Sequence, residues 1–230
     1  MRLDRLLGQH PTWGRQRIRS LLVRGCIQVD NKTVKDGTTD ISPFHTITID
    51  GQLFRQGKQP IYLMLHKPEG ILSATSDPVH KTVMDLLPDT ITDGLHIGGR
   101  LDKASTGLLL LTNDGQWSGR LTRPERIKPK VYKVQTGKAI HPDTQKRFAE
   151  GIYFPFEDLT TRPVKLEQLS EREARLTLYE GRYHQIKRMF GRFRNPVIGL
   201  HRESMGDITL DASLAPGDYR ILTPEEVASV

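Results

Sequence analysis

The chain has 230 residues, 34 Lys/Arg against 27 Asp/Glu for a net charge of +7, and a single cysteine. Its length admits one large domain or two smaller ones. The lone Cys26 excludes an intramolecular disulfide and fits a reducing compartment. An N-terminus that opens on Arg2, Asp4 and Arg5 instead of a long apolar run supports neither a signal peptide nor a membrane span. A cytoplasmic protein is expected, and the positive excess suits a polyanionic partner.

That excess sits at the front. Residues 1–59 hold ten Lys/Arg against five Asp/Glu, whereas residues 60–230 hold 24 against 22. From Gly14 to Arg24, Ile18, Leu21 and Leu22 fall at i, i+3 and i+4. One arc of a helix is therefore predicted to pack inward while Arg15, Arg17, Arg19 and Arg24 occupy the rest. Gly25 stops the helix. A strand over Cys26–Val29, a turn at Asp30-Asn31, and a strand over Ile47–Ile49 closed by Asp50-Gly51 complete a miniature α/β domain over residues 1–51. A basic helix of this kind is either a solvated face or a phosphate-tracking one. The order of elements, with RLDRLL followed by RQRIRSLLVRGCIQVDNKTV, resembles the S4 RNA-binding domain. That resemblance implies that the four arginines contact RNA. Residues 52–60, with Gly57 and Pro60 and no clear period, read as a linker.

The second domain, residues 61–230, opens with a predicted strand over Ile61–Leu65, and His66-Lys67-Pro68-Glu69-Gly70 reads as a plain loop. Leu108 to Leu111, bounded by Gly107 and by Asn113-Asp114-Gly115, is too short for a helix and is expected to be a strand buried on both faces. Just before it stand Arg100 and Asp102. A carboxylate there is either a satisfied turn residue or a group placed for chemistry. A short helix over Gln116–Leu121 leads into a cationic run of Arg120, Arg123, Arg126, Lys128, Lys130, Lys133 and Lys138, with only Glu125 against it. The run encloses Tyr132 in a strand-like Val131–Val134. It is either a solvated face or an aromatic that stacks a base among phosphate-binding cations.

Ala174–Tyr179 alternates as a strand. Then Ile186, Met189, Phe190 and Phe193 mark the buried stripe of a helix. On that wheel His184, Arg188 and Arg192 point away, while Lys187 lies on the flank, about 110° from the centre of the stripe at 3.6 residues per turn. Lys187 is thus the cation best placed at a junction. Residues 182–194 hold five Lys/Arg and no acid. The tail carries strand and turn signals at Ile208–Leu210 and Pro216-Gly217, and a helix start at Pro224-Glu225-Glu226. No Walker or GxGxxG motif occurs, and the histidines and the lone cysteine show no ligand spacing, so neither a metal nor a nucleotide cofactor is expected.

Three stretches, GRLDKASTGLLLLTNDG, KVYKV and EGRYHQIKRM, resemble the motifs of the RsuA type of pseudouridine synthases. With the S4-like head the resemblance covers essentially the whole chain, and one departure is His66, where relatives often carry Asn. It implies an α+β protein whose larger domain is built on a mixed, mostly antiparallel sheet with flanking helices. It also implies isomerisation of a uridine of 16S rRNA, free or in a small-subunit assembly intermediate, by a monomer without a cofactor. Asp102 matches the reacting carboxylate, Lys187 its basic partner, with Arg100 as the alternative, and Tyr132 the aromatic over the target base. Arg182, Lys130, Arg188 and Arg100 are the expected phosphate contacts beside the site, and Leu108–Leu111 with Ile186 its apolar floor. Three other readings stand beside this one: action on 23S rRNA, a non-catalytic RNA-binding assembly factor, and glycoside hydrolysis with Glu180 as the second carboxylate.

Overall fold

Asp30-Asn31 and Asp50-Gly51 each place two consecutive residues in the left-handed region, with φ of 48° and 64° in the first pair and 49° and 79° in the second. A two-residue hairpin turn requires that backbone. Both turns belong to the first of two units into which the chain divides, Met1–Pro60 and Ile61–Val230. The computed structural model describes residues 1–123 and 128–230, so Glu125 and Arg126 of the cationic run lie outside the described residues.

In the first unit, helices α1 (Leu3–Leu7) and α2 (Arg15–Val23) pack on strands β1 (Ile27–Val29), β2 (Lys32–Thr33), β3 (Ile47–Ile49) and β4 (Gln52–Arg55), in the antiparallel order β2-β1-β3-β4. Ile18, Leu21 and Leu22 are buried with Leu3, Leu7, Ile27 and Ile47. Strand β4 corrects the expected linker. The Asp50-Gly51 turn returns the chain so that Gln52 pairs with Ile49, and the Arg55 guanidinium donates to the Ser42 and His45 carbonyls at 2.6 and 3.1 Å. In this four-residue edge strand only Phe54 packs on the core while Leu53 is exposed, too short a pattern for alternation to be read from the sequence.

The second unit runs through β5 (Tyr62–Lys67), a 3-10 turn (Met84–Leu86), α3 (Asp89–Thr92), β6 (His96–Ile97), β7 (Thr106–Thr112), α4 (Gly115–Thr122), β8 (Lys130–Thr136) and α5 (Thr144–Glu150). It continues with β9 (Tyr153–Phe154), β10 (Leu159–Thr160), β11 (Lys165–Gln168), β12 (Glu173–Leu178) and α6 (Gln185–Gly191). It ends with β13 (Val197–Met205), β14 (Ile208–Thr209), β15 (Tyr219–Ile221) and α7 (Pro224–Ala228). A nine-stranded sheet has the order β11-β12-β8-β13-β7-β5-β15, with β14 on β13 and β6 on β7. Among the described residues only the β13·β7 pair of this sheet is parallel, so the sheet is mixed and mostly antiparallel. Strand β7 is buried on both faces. Leu109 and Leu111 join the core of Leu63, Leu176, Ile186 and Phe190, while Leu108 and Leu110 join that of Met64, Trp117 and Met205. Asp114 ends the strand and starts α4, its carboxylate accepting from the Gln116 and Trp117 amides.

Two features depart from expectation. Strand β5 continues through His66 and Lys67, because those residues still pair with Leu108 and Gly107 of β7. Helix α6 ends at Gly191, and Phe193 packs on the core from beyond it. Gly107, at φ 105°, lies so close to β13 that a Cβ would stand 2.3 Å from the Arg202 carbonyl oxygen. Only glycine lets the two central strands run parallel at that point.

The loop between β6 and β7 carries Asp102, and buried side chains hold it by its own backbone. Ser73 Oγ donates to the Leu101 carbonyl at 2.8 Å and accepts from the Leu101 amide at 3.1 Å. Lys67, wholly buried, donates through Nζ to the carbonyls of Pro68, Lys103 and Ser105 at 2.9, 3.2 and 2.8 Å. Arg202, also buried, donates to the carbonyls of Gly99, Arg100 and Leu108 at 3.0, 3.4 and 2.8 Å. Burial lowers the Lys67 ammonium from 10.5 to about 8, against the opposing pull of Asp102 and Glu69.

Substituting Lys67→Met withdraws the donor from three carbonyls and is expected to destabilise the second unit by about 1–3 kcal/mol. Between pH 8 and 10.5 the unfolded chain holds the Lys67 proton and the folded one does not. Lys67 therefore makes stability rise with pH across that window. The variant should lose that part of the slope. Urea unfolding across the window measures both effects, and a variant with wild-type stability and slope would refute the role.

Candidate active site

Asp102 opens a tight turn in which its carbonyl accepts from the Ser105 amide at 3.0 Å. Its carboxylate reaches back toward α6. Oδ2 stands 3.2 Å from Lys187 Nζ and 3.4 Å from His184 Nε2. Lys187 comes from the flank of the buried stripe of Ile186, Met189 and Phe190, so burial of that stripe is what turns its ammonium to the loop. His184 is the residue before the helix, in the left-handed region at φ 47°, ψ 32°. That backbone takes it off the regular wheel, which is why it meets Asp102 instead of pointing away.

These groups line a cavity of about 590 Å³, within the size range of small-ligand sites. Tyr132 of β8 joins them there. It is 9% exposed and pairs across the sheet with Leu176 on one side and Arg202 on the other. The apolar lining comes from Leu72, Leu101, Leu178, Ile186, Leu200 and Met205. The expected floor is corrected accordingly: Ile186 takes part, but Leu108 to Leu111 lie in the two cores behind it. Those leucines anchor the strand that follows the loop.

The predicted cations divide. Arg100 and Arg182 are exposed and Lys130 is half-buried, and all three line the cavity. Lys130 is held below its ordinary pKa by burial and by the neighbouring Arg202. Arg100 is not the partner of Asp102; among the described residues the ion pairs of that carboxylate go to Lys187 and His184. Arg182 pairs with Glu180 at 3.0 Å. Arg188 lies outside the lining, bonded to both Glu157 oxygens at 2.7 and 2.6 Å and seated on the Phe154 ring at 3.7 Å. Arg15, Arg17 and Arg19 stand exposed on α2 and Arg24 just after it in the first unit, with Arg17 over the Trp13 ring at 5.1 Å.

Glu180 lines the same cavity as Asp102, with its carboxylate engaged by its neighbours. Its oxygens accept from the Arg162 amide, the Arg182 guanidinium and the Gln185 amide group at 2.9, 3.0 and 2.7 Å, which builds the turn into α6. His66 serves a different hollow, where its Nδ1 lies 2.8 Å from the Leu214 carbonyl and its ring meets His201 edge-on. Sequence reading missed His184, Lys67 and Arg202. The αL backbone of His184 has no periodic signature. Lys67 looked like part of a turn, and Arg202 interrupts an apolar run.

The family model described as RNA pseudouridylate synthase matches residues 61–191. The chain is 53% identical over its full length, and over all of the relative, to a protein of Pseudomonas aeruginosa named ribosomal small subunit pseudouridine synthase A. It is 44% identical, again over the whole of both chains, to the Escherichia coli protein of that name. A solved structure titled as a pseudouridylate synthase superposes with a TM-score of 0.73 at 36% identity, covering 100% of this chain and 99% of the other. Matches of this extent leave one assignment: the chain belongs to the RNA pseudouridylate synthase family.

Proposed function

We propose that the protein converts a uridine of small-subunit 16S rRNA to pseudouridine, with Asp102 as the reacting carboxylate. The observation that carries this reading is the meeting of Asp102 with Lys187 at 3.2 Å inside a cavity of mixed polar and apolar lining that Tyr132 also lines. The small-subunit target rests on the full-length likeness to relatives named for it. 23S rRNA is the alternative target. A purely binding role would leave an ion-paired carboxylate in a nucleotide-sized hollow without a purpose.

The reaction breaks the N1–C1′ bond, turns the uracil and joins C5 to C1′; N1 gains a proton and C5 loses one. No redox step or cofactor is needed. Asp102 acts at the ribose, by attack at C1′ or by taking the C2′ proton, and either route brings negative charge against a centre that becomes electron-poor. Lys187 offsets that charge in the cavity. Tyr132 stacks on the target base, with its hydroxyl toward C5. Leu101, Leu178 and Ile186 keep water from the detached uracil. The uridine must first leave its RNA stack, at about a few kcal/mol. Phosphate contacts by Arg100, Lys130 and Arg182 help supply that. The first unit docks structured RNA through Arg15, Arg17, Arg19 and Arg24 in the manner of an S4 domain. The protein acts in the cytoplasm as a monomer, on free rRNA or an assembly intermediate.

Mapping pseudouridine in rRNA from cells with and without the gene tests reaction and target together. One 16S uridine should stay unmodified without the gene. Loss of a 23S modification would move the target, and no loss anywhere would remove the reaction. In purified protein, Asp102→Asn should abolish product formation while RNA affinity stays within a few fold, because the carboxylate contributes chemistry and little binding. Full activity in that variant would end the assignment of Asp102. Replacing Arg15, Arg17, Arg19 and Arg24 together by Ala should flatten the log–log dependence of RNA affinity on salt by about 0.7–0.9 for each phosphate that the arginines neutralise in the wild type. An unchanged slope would place the docking surface elsewhere.

A further inference from the structure

The rim of the cavity carries an aromatic that the chemistry above leaves idle. Tyr183 is 77% exposed, yet its ring lies flat against His184, with centroids 3.9 Å apart and planes 18° from parallel. Among the described residues it is the one large exposed apolar side chain that lines this cavity. Its backbone is held from behind. The Arg182 amide donates to Gln185 Oε1 at 3.1 Å, Gln185 in turn donates to Glu180 at 2.7 Å, and Arg188 Nη1 reaches the Tyr183 carbonyl at 3.4 Å. Below the ring, His184 Nε2 touches the same Asp102 oxygen that Lys187 holds. An open ring on a fixed backbone, one imidazole away from the reacting carboxylate and beside Arg100 and Arg182, is built to receive a flat, negatively tethered partner.

We propose that Tyr183 and His184 form a stacking platform for the base next to the target uridine in the RNA chain. This deepens the reading of the cavity as a uridine site and rests on it. When a nucleotide swings out of its stack, its neighbour is left with one face uncovered. An aromatic at the cavity mouth covers that face without regard to base identity, because every base offers a π-face. The cationic rim suits a nucleic-acid base over an apolar protein side chain. Tyr132 meets the target base inside, and the Tyr183–His184 pair meets its neighbour at the mouth.

The test uses full-length protein and 16S rRNA ligated to carry an abasic ribose on the 5′ or the 3′ side of the uridine mapped above. The RNA is bare or assembled with small-subunit proteins, whichever form the wild-type protein modifies. On intact RNA, Tyr183→Ala should raise KM by about tenfold to a hundredfold with a far smaller change in kcat, and Tyr183→Phe should recover most of that loss. On one of the two abasic RNAs the Ala penalty should vanish, and the side on which it does so identifies the stacked neighbour. Unfolding midpoints of the variants should match the wild type, since the ring is exposed. A penalty that persists on both abasic RNAs would overturn the platform and make Tyr183 a support for His184. An intact KM in Tyr183→Ala would overturn it too. Absence of pseudouridine with the wild-type protein would instead strike the underlying reading of the site.

Discussion

Everything in the second unit that concerns chemistry hangs on the backbone of one loop, residues 99–105, and on the buried cations that hold it. A loop laid against a sheet has inward carbonyls that no neighbouring strand can satisfy, and each costs free energy if it is buried and left unpaired. Lys67 and Arg202 meet that need from opposite sides of Asp102, Lys67 at the carbonyls of Lys103 and Ser105 and Arg202 at those of Gly99 and Arg100. Neither cation has a carboxylate within ion-pair distance among the described residues. Burying a charge this way is expensive, and neutral donors of similar reach would hold a loop at lower cost. What a neutral donor would not supply is a positive potential around Asp102. The lowered pKa of Lys67 and the pull of Asp102 against that lowering are two sides of the same arrangement.

Much of this was legible in the sequence and some was not, for physical reasons. Strand β7 could be read because four leucines in a row, bounded by turn residues, have no exposed face to accommodate; its two faces indeed enter two different cores. Helix α6 and the flank position of Lys187 follow from a stripe at 3.6-residue spacing. Strand β13 stayed hidden although it is nine residues long and central. Its sequence contains Gly199, His201, Arg202 and Glu203, and its pairing is settled by partners far away in the chain. The polar residues that hide the strand are the ones it exists to place. Arg202 is buried against the Asp102 loop, and His201 bonds Thr106 at 2.8 Å.

Charge along the chain shows a similar division. The cationic surplus of the first unit lies on exposed arginines of α2, where it can bind phosphate with little desolvation. In the second unit many cations are already engaged: Arg188 with Glu157, Arg175 with Glu203, Arg220 with Asp211 and Glu226. A count of Lys and Arg in a motif therefore overstates what is available to RNA. Arg188 shows this most clearly, since Glu157 and Phe154 arrive from the β9–β10 hairpin and could not be assigned to it from sequence.

His184 matters more than its place in the sequence suggests, because of its backbone. A positive φ costs a residue with a Cβ about 1–3 kcal/mol and persists only where the surroundings over-determine it. Here they do: the Glu180–Gln185 bond and the start of α6 fix the turn on both sides. The result is an imidazole placed between the Asp102 carboxylate and the water-facing ring of Tyr183. Strain stored in one backbone torsion thereby joins the interior of the cavity to its rim.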